Sequence, residues 1–129
     1  MMFIGEQCGK AEEAMKFYTS LFKNSEIKSI GRWNKDEAGG KEGLVKQAIF
    51  TISGQEYMVS ENTMEHGFTF TPAISIFVRC DSENEQTMLF EKLSLNGQVM
   101  MPLDDYGFSK RFGWVSDAYG VSWQLNLAR

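Results

Sequence analysis

The chain has 129 residues, with 13 Lys and Arg against 17 Asp and Glu, for a net charge of −4. That length fits a single domain of ordinary globular composition, and an acidic balance without a basic cluster excludes a surface built to displace counterions from nucleic-acid phosphates. An aromatic share of 13%, including ten Phe, favours strands and an apolar lining over a helical bundle.

No apolar run approaches the roughly 18 residues needed to span a bilayer, and residues 1–10 lack the basic start and apolar stretch of a signal peptide. The only two cysteines are Cys8 and Cys80. So few in a short chain predict reduced thiols and a cytoplasmic protein.

Residues 1–4 form a short apolar strand that ends at Gly5. Residues 11–22 (AEEAMKFYTSLF) place Ala11, Ala14, Met15, Tyr18, Leu21 and Phe22 on one helical stripe, with Glu12 and Glu13 at the positive end of the helix dipole. Residues 26–33 alternate as a strand. Residues 34–43 are charged and glycine-rich, a connecting loop or a lid. Residues 44–53 and 56–60 make a hairpin turning at Gly54-Gln55. Residues 61–71 show little periodicity and read as a linker.

The same order then recurs. Residues 73–80 (AISIFVRC) are an apolar strand, and Ser82 with Glu85 has the spacing of a capping box opening a second helix. Asn96-Gly97 stops that helix, and strands follow at 98–101, 111–117 and 121–127. Aligning Glu12 with Glu85 superposes Met15 on Met88 and Phe17 on Phe90, and aligning Gly54 with Gly120 superposes Tyr57 on Trp123 and Val59 on Leu125. Element order and these matches together favour an internal repeat.

The segments AEEAMKFYTSLF (11–22), TPAISIFVRCD (71–81), Met100-Met101-Pro102 and SKRFGWVSDAYGVSWQLNL (109–127) resemble the PhnB-like group of the vicinal oxygen chelate superfamily. That superfamily includes glyoxalase I, extradiol dioxygenases and the bleomycin and fosfomycin resistance proteins. The resemblance implies an α+β fold of two β-α-β-β-β modules, about 1–61 and 72–129, forming a cupped mixed sheet within one domain, commonly completed by a second subunit. In metal-using members, four ligands point into the cup from the first and last strands of each module. Carried over one position at a time, they fall on Phe3 (or Met2 if the register slips by one), on Met58 with Ser60 on the same face, on Ser75 and on Gln124. Phe cannot ligate, a thioether is a soft donor and Ser is a poor ligand for Zn²⁺ or Ni²⁺, so one amide oxygen remains. No metal and no cofactor are expected.

Several side chains carry two readings. Gln124 shares a polar strand face with Ser122 and Asn126, either as a ligand-orienting amide or as part of a solvated face. Ser75, in an apolar strand, needs a partner from backbone, water or ligand. His66, the only histidine, is a solvated loop residue or a general base over a cavity. The methionines line an adaptable pocket or fill a core. Tyr106, Phe108, Lys110, Arg111 and Trp114 suit a flat or anionic small molecule, or equally a dimer interface.

These readings converge on a metal-independent small-molecule-binding homodimer. Its ligand is held in the cup by Phe3, Met58, Ser60, Ser75, Tyr106, Arg111, Trp114 and Gln124, with no nucleic-acid or membrane partner. The alternatives are a metal-dependent enzyme of the glyoxalase or dioxygenase type, and an interaction module without a ligand. Some PhnB-like proteins bear a 3-demethylubiquinone methyltransferase label. Gly39-Gly40 lies in a polar loop, and no glycine-rich strand-to-helix turn of the nucleotide-binding kind precedes either helix, which disfavours methyl transfer.

Overall fold

Period-2 and period-3.6 patterns fold into the order they predict. The computed structural model describes residues 1–129, in two compact units, Met1–Thr69 and Phe70–Arg129. Together they hold two α-helices and eight strands in two mixed four-stranded sheets. No helix is long and apolar enough to cross a membrane.

In the first unit, β1 (Met2–Phe3) leads through a 3₁₀ turn at Gly5–Gln7 into α1 (Ala11–Leu21), followed by β2 (Ile27–Arg32), β3 (Val45–Ile52) and β4 (Gln55–Glu61). The sheet order is β1-β4-β3-β2, with β1 parallel to β4 and the other pairs antiparallel. The apolar stripe of α1 buries Ala11, Ala14, Met15 and Tyr18 in a core shared with Ala48, Phe50 and Val59. Tyr18 stacks on Phe50 with ring centroids 6.3 Å apart. The β3–β4 hairpin turns on Ser53 and Gly54, both at positive φ (50° and 83°). Such a two-residue turn matches the twist of its strands and asks for glycine at its second position.

No side chain caps α1 from its own sequence. The carboxylate of Glu61, buried at the end of β4, accepts instead from the backbone N–H groups of Gly9 and Ala11, and from that of Val45 at 2.8 Å. One side chain therefore ties the helix start to two strands. The loop at 33–43 is packed down rather than loose. Trp33 Nε1 donates to the Glu61 carbonyl at 2.7 Å, Lys46 Nζ lies 5.3 Å from the ring centroid, and a Cβ at Gly40 would collide with the indole. The segment after β4, read from sequence as a linker, belongs with this unit up to Thr69, whose hydroxyl donates to the Ile4 carbonyl at 3.4 Å.

The second unit contains β5 (Ser75–Arg79), α2 (Glu83–Ser94), β6 (Gln98–Asp104), β7 (Arg111–Ser116) and β8 (Ser122–Leu127), ordered β5-β8-β7-β6 with β5 parallel to β8. Ser82 caps α2 as the sequence predicts, and the reciprocal bond from Glu85 reaches one residue further back, to Asp81. Ser82 Oγ accepts from Glu85 N, and Glu85 Oε1 accepts from Asp81 N, both at 3.1 Å. Strand β6 runs on through Pro102, which the sequence places in a loop. Proline is tolerated there because β6 is an edge strand whose pairing is irregular between Met101 and Asp104.

Two buried polar side chains brace this unit. Gln86 Nε2 donates to the carbonyls of Arg111 and Leu125, at 3.0 and 3.1 Å. Asp117 accepts from Tyr119 N, Val121 N and Trp123 Nε1, all within 3.0 Å. Each satisfies groups that would otherwise be stranded in the core.

Candidate functional site

Strand β8 sets the geometry. Trp123, Leu125 and Leu127 are buried on the side that packs α2, so the period of two sends Ser122, Gln124 and Asn126 to the opposite, helix-free face. Register across the sheet then arranges that face in three rows. The first joins Ser75, Ser122, Ser116 and Gln98. The second joins Phe77, Gln124, Trp114 and Met101, and the third Arg79, Asn126, Phe112 and Asp104.

The first two rows are hydrogen-bonded to one another. Trp114 Nε1 donates to Ser122 Oγ at 2.7 Å, the Ser75 and Ser122 hydroxyls lie 2.6 Å apart, and Gln124 Nε2 donates to Ser75 Oγ at 3.2 Å. Ser75 is thus satisfied by side chains rather than by backbone. This network ties the Gln124 amide to the sheet through its nitrogen. Beside it, Phe77 is 51% exposed, and Trp114 and Gln124 are half-buried. The result is a partly apolar surface with a few placed polar groups, the mixture of lining chemistry found at small-molecule sites.

Tyr106 and Phe108 extend the surface at its third row. Tyr106 stacks on Phe108 at 6.3 Å, and Phe108 packs edge-on against Phe112 at 5.0 Å. Tyr106 Oη donates to the Pro102 carbonyl at 2.6 Å, which holds the loop in place.

Arg111 stands elsewhere. Its backbone alternates with Phe112, so its side chain turns to the helix-covered face. There Nε donates to Gln86 Oε1 at 2.7 Å, and one terminal nitrogen donates to the Glu83 carbonyl at 2.9 Å and Thr87 Oγ1 at 2.6 Å. This arginine locks β7 to α2. The guanidinium on the open face is that of Arg79, which sequence reasoning did not single out. Counting by twos from Ser75 through Phe77 would have found it.

In the first unit the corresponding face carries different chemistry. Met2 pairs with Ser60 and Met58 with Ile49, and all four belong to the helix-free side. Phe3 pairs with Glu61 and is fully buried toward α1. Of the two residues the sequence offers for the first-strand position, Met2 is the one on the helix-free face. Met58 is 55% exposed, and Ser60 is half-buried. No polar network links these side chains.

His66 lies in the segment after β4, with Nε2 2.7 Å from Asn62 Oδ1 and its ring 5.5 Å from that of Phe68. It lines a shallow depression of about 440 Å³ together with Gly5, Glu6, Glu65 and Phe68. Both cysteines are free thiols. Burial, reinforced by Glu85 and Asp81, pushes Cys80 up to about 12, and burial with Glu61 nearby raises Cys8. Neither is an activated nucleophile.

The positions to which the resemblance carries the superfamily's metal ligands, and which lie on the helix-free faces, are Met2, Met58, Ser75 and Gln124. Two thioethers, one hydroxyl already bonded to its neighbours and one amide do not fit a hard or borderline divalent ion. No three His, Cys, Asp or Glu side chains converge in a metal-binding arrangement.

Comparison with known proteins agrees with the architecture. Residues 1–126 match a family model described as 3-demethylubiquinone-9 3-methyltransferase. The chain belongs to that family. A solved structure of a PhnB protein from Bacillus cereus is 52% identical, with a TM-score of 0.90, covering 99% of this chain and 97% of that one. A glyoxylase/bleomycin resistance protein/dioxygenase domain from Frankia sp. is only 13% identical. It shares the fold with a TM-score of 0.67, over 100% of this chain and 94% of that one. Among curated proteins, Protein YjdN of Escherichia coli strain K12 is 25% identical over 85 residues. That match covers 66% of this chain and spans 57% of YjdN, little more than half its length. The protein is PhnB-like, with the glyoxalase/bleomycin-resistance fold.

Proposed function

We propose that the protein binds a small molecule on the helix-free face of its second sheet without using a metal ion, and that it does so as a cytoplasmic homodimer. The observation that carries this reading is the bonded set of Trp114, Ser122, Ser75 and Gln124. It anchors the Gln124 amide through its nitrogen, at a position paired with Phe77 on one side and Trp114 on the other. Ser75, Trp114 and Gln124 belong to the binding surface, joined by Phe77 and braced from beneath by the buried Ser122, with Tyr106 at its edge. Met58 and Ser60 occupy the equivalent, less polar face of the first unit. Arg111 and Phe3 act through the fold alone.

Methyl transfer, which the family description names, finds less support in the architecture. Each sheet has one parallel pair only, β1 with β4 and β5 with β8. A doubly wound parallel sheet with a glycine-rich turn at a strand end, the usual platform for a nucleotide-type methyl donor, does not form. A metal-dependent lyase or dioxygenase reading meets the unsuitable donor set described above.

A thermal-shift screen of metabolites and antibiotics, run in EDTA on the wild type and on Gln124→Ala, tests the proposal. A compound that raises the wild-type midpoint in EDTA, with the shift lost in Gln124→Ala, is the expected result. Stabilisation that requires an added divalent metal would overturn it, as would hits indifferent to Gln124→Ala. Sedimentation at micromolar concentration tests the dimer, and a monomer throughout would remove that part.

A further inference from the structure

The third row of the open face adds a charge pattern to the site. Arg79 stands at one edge on β5 and Asp104 at the other on β6, with Asn126 and Phe112 between them. Three strand spacings of about 4.8 Å separate the two charges. Among the strand positions of this face, Arg79 is the one cation. It is exposed, and no ion pair of the chain involves it. Arg111, by contrast, has its guanidinium consumed by Gln86, Glu83 and Thr87. One arginine is structural, and the other is a free planar fork next to an aromatic ring.

Resting on the proposed binding face, we infer that its ligand is a flat monoanion: an arene carboxylate that also carries a hydroxyl or amino donor. Arg79 takes the carboxylate, for which its fork geometry is suited. Asp104 repels the same group from the far edge, so the ligand has one orientation along the row. Phe77 flanks Arg79 on its own strand and Trp114 stands across Gln124 on β7, so a ring system finds aromatic partners on both sides of Gln124. The amide nitrogen of Gln124 is engaged by Ser75, which leaves its oxygen to accept from the donor on the ligand. One strand and two residues separate Gln124 from Arg79, or about 8 Å from strand spacing and rise. That span matches a carboxylate and a hydroxyl at opposite ends of one or two fused rings.

Titration calorimetry in EDTA with 6-hydroxy-2-naphthoate and its neutral carboxamide tests the inference, using the wild type, Arg79→Gln, Arg79→Lys and Gln124→Ala. Arg79 is exposed, so its variants keep the fold, which circular dichroism checks. The carboxylate is expected to bind the wild type at least about tenfold more tightly than the amide. Arg79→Gln should remove that advantage, Arg79→Lys should restore part of it, and affinity for the amide should change less than about twofold. Equal affinity for the two probes, or carboxylate binding that Arg79→Gln leaves intact, would overturn the ligand class. If Gln124→Ala still weakened both probes in that event, the binding face would stand without the anion. No binding of the carboxylate at millimolar concentration would also overturn the inference. The EDTA screen against Gln124→Ala then decides separately whether the face binds anything.

Discussion

The two units meet the same structural demands with different chemistry. Each runs strand, helix, strand, strand, strand, and each pairs its first strand in parallel with its last. The start of α1 is held by a distant carboxylate, Glu61 on β4, whereas α2 is held locally by Ser82 and Glu85. The helix-covered faces nevertheless agree in kind, because both must exclude water: Ala48, Phe50 and Val59 in one, Val115, Trp123 and Leu125 in the other. The helix-free faces diverge. Met58 sits beside Ile49 in the first unit, and its counterpart Gln124 sits between Phe77 and Trp114 in the second. Packing constrains one side of a repeated sheet and leaves the other free to specialise, and the proposed binding face is the more polar of the two free faces.

Substitutions that treat the units as equivalent can break this comparison. The largest effect is expected at the buried acids. Glu61→Ala strands the N–H groups of Gly9, Ala11 and Val45, and Asp117→Ala strands those of Tyr119, Val121 and Trp123. Each should cost about 3 kcal/mol in urea unfolding. A loss below about 1 kcal/mol in either would show that the acid is not bracing its unit.

Next come two glycines. A Cβ at Gly97 would overlap the backbone oxygen of Ser116, which cannot move aside, whereas one at Gly31 meets Gln47 O at 3.4 Å. Gly97→Ala should therefore lose about 2 kcal/mol, and Gly31→Ala should stay within about 0.5 kcal/mol of wild type.

Exchanging the paired side chains of the free faces sharpens the functional side. Gln124→Met should weaken any ligand found in the EDTA screen by about tenfold, near 1.4 kcal/mol. Met58→Gln should change its affinity less than about twofold, because no hydroxyl network waits there to orient the new amide. Equal effects would erase the distinction between the faces.

The smallest effect concerns alkaline pH. Cys80 is held protonated in the folded state up to about 12, above its ordinary 9.0, mainly by burial. A raised thiol pKa favours the folded state fully below pH 9 and less as pH rises from there toward 12. Stability should fall by about 1 kcal/mol between pH 8 and pH 10. Cys80→Val should flatten that slope, and an unchanged slope would assign the loss to other groups.

Much of the fold was legible because long elements carry their own period. The stripe of α1, the cap at Ser82 and the alternation of β8 led directly to the observed elements. The first strand was harder. Two residues, Met2 and Phe3, contain no period from which to choose a face, and only pairing with Ser60 and Glu61 decides it. Strand β7 misled for another reason: in RFGWVS, Gly113 and Phe112 interrupt the contrast between faces, so Arg111 could not be told from a site residue until its bonds to α2 were visible. The bracing roles of Glu61, Gln86 and Asp117 left no signal, since sequence does not show which polar side chains have buried N–H or C=O groups waiting for them.

Central to the account is that recognition belongs to the second sheet face and needs no metal. The most direct measurement is side-chain chemical-shift mapping on EDTA-treated protein, titrated with the compound that gives the largest thermal shift. The account predicts that the Trp114 indole N–H and the Gln124 amide shift in saturable fashion, while the methyls of Met2 and Met58 stay in place. Shifts confined to Met2 and Met58, or appearing only after a divalent metal is added, would contradict it.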